Sequence, residues 1–234
     1  MTTKIMPTLT LIASLFVRLD EEEYGRLLHS GAAAQLEAWA SLSARDGVAH
    51  SDMQSRVLLP GWDVRVLLQN EVLTPGVPLS ALPVESLYKP WSTVLGSAYA
   101  AQRGLYLGDA AQHIQALCAS LELHIPEGFE AMPDHITLLI DLLCVFLENG
   151  NERAACEFIA DHFDWLGLYG AALARRTVEV SQASGLEEAR RAALLAGLAH
   201  LEALTVLVDR IAGAYRGEGS VDRVQFDTNG LLTC

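Results

Sequence analysis

LEEARRAALLAGLAHLEALTVLVDRIAGAYR, residues 186–216, decides the fold class. Leu194, Leu198, Leu201, Thr205, Val208, Ala212 and Tyr215 step along it at helical spacing and predict one long helix with a single inward stripe. Working back, no proline occurs in the 101 residues after Pro133. A β-rich fold needs turn residues about every 8–12 positions, and this half of the chain lacks them. Helices are predicted over 151–162 after an Asn151 cap, and over 165–183. Another, opened by Asp134, runs through Ile136, Leu139, Ile140, Leu143 and Leu147 to Asn149-Gly150. The class is all-α: a multi-helix bundle with an ordered proline-rich surface loop.

That loop is 74–90, which carries Pro75, Pro78, Pro83 and Pro90, four of the eight prolines. Proline lacks the N–H that a helix needs and clashes with the preceding turn, so no regular helix forms here. Val77, Leu79, Leu82, Val84, Leu87 and Tyr88 are too apolar for a solvated linker, and they predict an extended segment lying on the helical body. Before it, Leu9, Ile12, Leu15, Phe16 and Leu19 share one helical face. Asp20 with Glu23 makes a capping pair. Residues 32–44 face inward through Leu36 and Trp39 and close at Asp46-Gly47, and 53–59 and 62–72 are shorter helical pieces. After the loop, helices are expected over 92–103 and 109–121, the second turning Ile114, Leu117, Cys118 and Leu121 inward, with a loop over 122–133. The expected organisation is one domain over 1–216, divisible into subdomains 1–90 and 91–216 with a hinge near 122–135, and a loosely held tail over 217–234.

The chain of 234 residues carries 16 Lys plus Arg against 29 Asp plus Glu, a net charge of −13, and 51% of it is hydrophobic. Such a composition buries a large core and excludes disordered and collagen-like classes. Its sign opposes binding to a phosphate backbone, so nucleic acid is not the expected ligand and a cationic partner suits the field better. Cys118, Cys144, Cys156 and Cys234 are widely spaced with no C-x-x-C pair, which reads as reduced thiols in a cytoplasmic protein. The apolar run 5–17 is interrupted by Pro7, Thr8, Thr10 and Ser14, and is shorter than the roughly 20 residues of a membrane span. An ordinary first helix and no membrane insertion are expected.

Motifs for catalysis and cofactors are missing. There is no Gly-x-x-x-x-Gly-Lys cradle and no Gly-x-Ser-x-Gly elbow, and the only lysines, Lys4 and Lys89, lie outside glycine-rich turns. Histidines 29, 50, 113, 124, 135, 162 and 200 never fall four apart, so no helical zinc pair is expected. Asp134-His135 and Asp161-His162 are neighbours in sequence, and neighbours on a helix do not face each other. No enzyme, metal or cofactor is expected. Charge placement says more: from 104 to 152 there is no Lys or Arg against eight carboxylates, and to 174 one cation stands against eleven anions. Such a run is either a solvated acidic face or a concave site for a basic peptide, walled by the 83–91 loop.

Pro83-Val84-Glu85-Ser86-Leu87-Tyr88, then Pro133-Asp134-His135, then Phe158-Ile159-Ala160-Asp161-His162-Phe163-Asp164-Trp165-Leu166 occur in an order and at spacings that resemble the TorD/DmsD family of redox-enzyme maturation chaperones. The resemblance spans residues 9–216. It implies an all-helical cytoplasmic chaperone, often dimeric, that binds the twin-arginine leader of a molybdenum-cofactor enzyme and holds the apoenzyme until cofactor is inserted. In that family the hinge Asp-His and the proline-aromatic loop line the leader pocket. By this likeness Pro133, Asp134, His135, Pro83, Glu85, Ser86 and Tyr88 contact the leader. Trp91 joins them as an aromatic wall, and Glu130 as a hinge carboxylate. The sequence departs from the family pattern at Val84, which replaces a Trp that Trp91 or Trp62 would supply. It departs again in the direct Pro133-Asp134 junction, and in Phe163 and Asp164.

Other readings stand beside these. Asp134 after a proline suits a helix N-cap as well as a ligand contact. His135 suits a neutral side chain bonded within the loop–helix joint, and Glu85 and Ser86 suit turn caps. Tyr88 and Trp91 suit packing, and His162 and Trp165 suit a helix–helix corner. The alternative functions are an assembly chaperone of the nitrate-reductase type for a client that is not exported, a small helical enzyme using an Asp-His pair, and a structural adaptor using the C-terminal helix.

Overall fold

The computed structural model describes residues 5–43, 55–94 and 96–216, and the short antiparallel pairing of Gln225–Phe226 with Leu232–Thr233. The Asp46-Gly47 stop, the start of the 53–59 piece and most of the 217–234 tail lie outside the described residues. The fold is all-α. Its helices are α1 (Ile5–Leu15), α2 (Glu21–His29), α3 (Ala32–Ser43), α4 (Trp62–Glu71), α5 (Asp109–Ser120), α6 (Ile136–Glu148), α7 (Glu152–His162), α8 (Leu166–Gln182) and α9 (Glu188–Arg216), with a helical turn at 55–57.

The apolar stripes read from the sequence form the core. Leu9, Ile12, Leu15 and Phe16 of the first segment meet Ile136, Leu139, Ile140 and Leu143 of α6, all buried. Each such side chain contributes about 1.5–3 kcal/mol on leaving water. The stripe Leu194, Leu198, Leu201, Thr205, Val208 and Ala212 of α9 is buried against α8, α4 and α7. By length and composition α9 could cross a membrane, but its apolar side is spent on this packing.

Caps set the breaks between helices. Asp20 Oδ1 accepts from Glu23 N–H (2.7 Å) while Glu23 Oε2 accepts from Asp20 N–H (2.9 Å), the reciprocal box its sequence predicts. Asn151 caps α7 through Ala154 N–H. A buried arginine closes the end of α1: Arg65 of α4 donates to the carbonyls of Leu15 (2.7 Å) and Val17 and to Gln69 Oε1 (3.0 Å), with Tyr24 at 5.6 Å. Carbonyls at a helix end have no intrahelical donor, and this guanidinium satisfies them. Burial lowers Arg65 to about 10.

Three expectations fail, each for a local reason. Residues 92–94 and 96–103 form no helix but a turn-rich loop that doubles back, with Trp91 N–H donating to Gln102 O (2.8 Å) and Ser92 N–H to Ala100 O (3.3 Å). Gly96, at φ +87°, makes the reversal, and Gly108 lets the chain return, since a Cβ there would sit 2.6 Å from Trp91 O. Leu121 faces solvent rather than the core, because α5 ends at Ser120 and Glu122 turns the chain at φ 57°. Finally, α6 starts at Ile136 with His135, not Asp134, as its N-cap.

The proline-rich segment is ordered but extended only over 80–84: residues 74–79 form turns and bends, with Ser80 N–H donating to Val77 O (3.0 Å), and a 3-10 turn follows over Glu85–Leu87. Its backbone pairs with the α6 entry: Val84 bridges His135, Glu85 N–H donates to Asp134 O (3.1 Å), and Ile136 N–H donates to Pro83 O (2.9 Å).

Candidate functional site

The three stretches that carry the family resemblance meet at one place. Asp134, wholly buried, accepts at Oδ2 from the Ser86 N–H (2.6 Å) and from the Ser86 hydroxyl. A short polar side chain beside a proline usually turns back to cap its own helix. Here the backbone bridge to Val84 brings Ser86 within reach, and the Asp134 carboxylate is used across 48 residues instead. Its Oδ1 is buried with no hydrogen-bond partner among the described residues. Burial raises the Asp134 pKa, and the Ser86 hydrogen bonds hold it partly back.

Glu85, equally buried, joins the same loop to α7. Its Oε2 lies 2.7 Å from His162 Nδ1, and the opposite ring nitrogen, Nε2, lies 2.8 Å from Nδ1 of the exposed His113 on α5. A carboxylate only accepts, so His162 Nδ1 donates to Glu85 Oε2 and the ring is oriented with Nε2 toward His113. Lys89 closes the other side, its Nζ 2.8 Å from Glu85 Oε1 and 2.6 Å from Asp164 Oδ1, and it donates to Asp161 O (2.6 Å). Burial opposes the lysine charge, but the two carboxylates outweigh it and raise the pKa. The result is a line of polar groups leading from the surface to a buried carboxylate, held by three elements remote in sequence.

The remaining residues divide between packing and surface. Pro83 and Pro133 are buried. Tyr88 stacks on Trp165 (5.4 Å, 12°), meets Tyr169 edge-on, and donates to Leu82 O (3.0 Å); burial raises its hydroxyl pKa. His135 is buried, its Nδ1 accepting from Thr137 N–H (3.3 Å) and its ring edge-on to Phe129, and burial depresses its pKa to about 3. Trp91 is half-buried, donates through Nε1 to Tyr106 O (3.0 Å) and meets Tyr99 edge-on. Glu130 is exposed, accepting from Gly128 N–H (2.9 Å).

Neither Asp-His dipeptide forms a dyad. Asp134 bonds Ser86, His162 bonds Glu85, and Asp161 contributes its carbonyl to Lys89. Among the described residues no group of three His, Cys, Asp or Glu is placed to hold a metal. The acidic stretch is divided as well. Asp134 lies inside, Asp109 accepts from Thr93 N–H (2.7 Å), and Glu148 lines a cleft with Met6, Leu27 and Gln35 of the first three helices. Glu122, Glu127 and Glu130 remain exposed on the loop between α5 and α6.

Sequence reasoning missed His113, Lys89 and the surface around Tyr106. Nothing near His113 in sequence points to a partner 49 residues away, whereas Lys89, four residues after Glu85 in a chain with two lysines, was a usable signal. Tyr106 stands close enough to Asp134 for the carboxylate to raise its pKa, after burial as the larger cause. No family model, curated protein or solved structure matches the chain.

Proposed function

We propose that the protein is a cytoplasmic chaperone for a molybdenum-cofactor oxidoreductase, binding the client's twin-arginine leader and holding the apoenzyme until cofactor insertion. The observation that carries this reading is the meeting of the three family-like segments: Ser86 on Asp134, Glu85 on His162, and Tyr88 on Trp165. Segments 48 and 77 residues apart have no local reason to share a pattern unless they build one feature.

The chemistry agrees with an arginine-bearing, partly apolar ligand. A guanidinium offers a planar fork of donors that suits carboxylates and aromatic faces. The unpartnered Oδ1 of Asp134 offers the first, and the exposed Tyr99 and Tyr106 rings the second. Asp134, Pro83, Glu85, Ser86, Pro133 and His135 are buried, and in this reading they hold the floor of the site. Trp91 is half-buried and Tyr106 and Glu130 are exposed, and in this reading they form its rim.

Calorimetric titration of a twin-arginine leader peptide is expected to show saturable binding. Affinity falls about tenfold when both arginines become lysines, since lysine loses the two-pronged contact. Association slows as salt rises, because the acidic surface steers the cationic peptide. Absence of binding, or equal affinity for the two peptides, would remove the proposal.

A further inference from the structure

His113 belongs to the polar line, yet the fold gives no reason for an imidazole there. It is exposed on α5, so its ring adds nothing to the core, and a glutamine amide could donate to His162 as well. Instead two imidazoles 49 residues apart bring ring nitrogens to 2.8 Å, with centroids 4.9 Å apart and planes at 32°.

The inner ring is firmly held. His162 Nδ1 donates to the buried Glu85 carboxylate (2.7 Å), Phe158 packs against the ring (4.8 Å, 37°), and the His162 carbonyl accepts from Trp165 Nε1 (2.8 Å). In the neutral ring Nε2 then carries a lone pair aimed at His113. A carboxylate behind one nitrogen is the usual companion of a metal-ligating histidine, where it fixes the ring and raises its basicity. His113 completes the pair. With its own proton on Nε2, its Nδ1 lone pair faces the same space, and a cation takes the place of the hydrogen that otherwise joins the two rings.

The spacing selects the ion. Two nitrogens bound at about 2.0–2.1 Å and at a right angle stand about 2.8–3.0 Å apart, whereas a tetrahedral angle sets them about 3.3–3.4 Å apart. The observed 2.8 Å suits a tetragonal ion, Cu2+ or Ni2+, better than Zn2+. The surrounding charge admits a cation. Glu85 and Asp164 outnumber Lys89, and α5 has no Lys or Arg. Arg153 of α7 stands at the far end of that helix and is paired with Glu157. Among the described residues no third His, Cys, Asp or Glu closes the site, so water fills the remaining positions.

We infer that His113 and His162 are the protein ligands of an open divalent transition-metal site, Cu2+ or Ni2+ by geometry, with Glu85 orienting His162 from behind. The ion ties α5 to α7. With α5 it holds the loop before it, which Asp109 fastens through Trp91 O (2.8 Å) and Thr93 N–H (2.7 Å). The site is independent of the leader-binding reading.

Nickel is the probe, because a chain with four cysteines draws copper to its thiols. Calorimetric titration of the full chain with NiCl2, after dialysis against a chelator, is expected to show one saturable site. His113→Gln keeps a donor for His162, so its thermal midpoint without metal stays near wild type, but it no longer binds. Glu85→Gln leaves both ligands in place and weakens binding about 10–100-fold, the range for losing the partner behind a ligating histidine. His124→Gln, at an exposed histidine on the loop between α5 and α6, keeps wild-type affinity. Absence of binding by the wild type would overturn the inference. So would full-strength binding by His113→Gln or its loss in His124→Gln, either of which marks an adventitious ion held elsewhere, and so would unchanged affinity in Glu85→Gln.

Discussion

Replacing Glu85 with alanine is expected to destabilise the fold by about 3–5 kcal/mol, the range for breaking one side of a buried charge pair. The carboxylate is wholly buried and has two dependants, the His162 Nδ1–H at 2.7 Å and the Lys89 ammonium at 2.8 Å. Alanine leaves a buried imidazole donor unpaired and removes half the compensation of a lysine already partly withdrawn from water. For a chain of this size that lowers the thermal midpoint by roughly 10 °C. Glu85→Gln keeps an oxygen for His162 but not the charge, and is expected to lose less than half as much. Differential scanning calorimetry of the two variants checks this. A loss under about 1 kcal/mol for Glu85→Ala would mean the loop is held by its backbone pairing alone.

Acid unfolding is the second large effect. His135 and His200 are buried, and burial depresses their pKa values to about 3 and about 4. In the unfolded chain each takes a proton near the ordinary histidine value, while the folded protein refuses it until far lower pH. The unfolded state therefore binds more protons below about pH 6.5, and stability falls as the pH falls. With both histidines contributing, the slope approaches about 2.7 kcal/mol per pH unit, removing roughly 5 kcal/mol by pH 4.5. That is a large share of a typical folding free energy of about 5–15 kcal/mol. Asp134 works in the opposite sense: its raised pKa lets the folded state take a proton first, which softens the acid limb without reversing it. Denaturant titrations between pH 7 and 4 are expected to show the fall, and His200→Gln to flatten it by about one proton's worth. Identical slopes in wild type and variant would exclude His200 as a source.

What the sequence could reveal follows the range of the interactions. The Asp20 box, the Asn151 cap and the α9 stripe depend on residues three or four apart, and pattern alone exposed them. The ordered state of the proline-rich segment was legible too, because prolines forbid a helix while its leucines and valines demand cover. Asp134 shows the limit. Its local setting favours a cap, and the competing bond to Ser86 exists only because Val84 bridges His135. The loop after Trp91 misled for a similar reason. Its alanines favour a helix, but Asp109 holds the Thr93 backbone and hydroxyl, and Gly96 reverses the chain. Of the candidate site, the sequence marked the family-like residues individually. Their partners across the fold, His113 for His162 and Lys89 for Asp164, come from tertiary packing.

Hydrogen–deuterium exchange of the full chain, with and without a twin-arginine leader peptide, tests most directly whether these parts form one receiving face. Protection is predicted over 83–89, 96–107 and 121–135 together, with the cleft between α1 and α3 unchanged. Protection confined to that cleft, or exchange unaltered by a saturating peptide, would contradict the account.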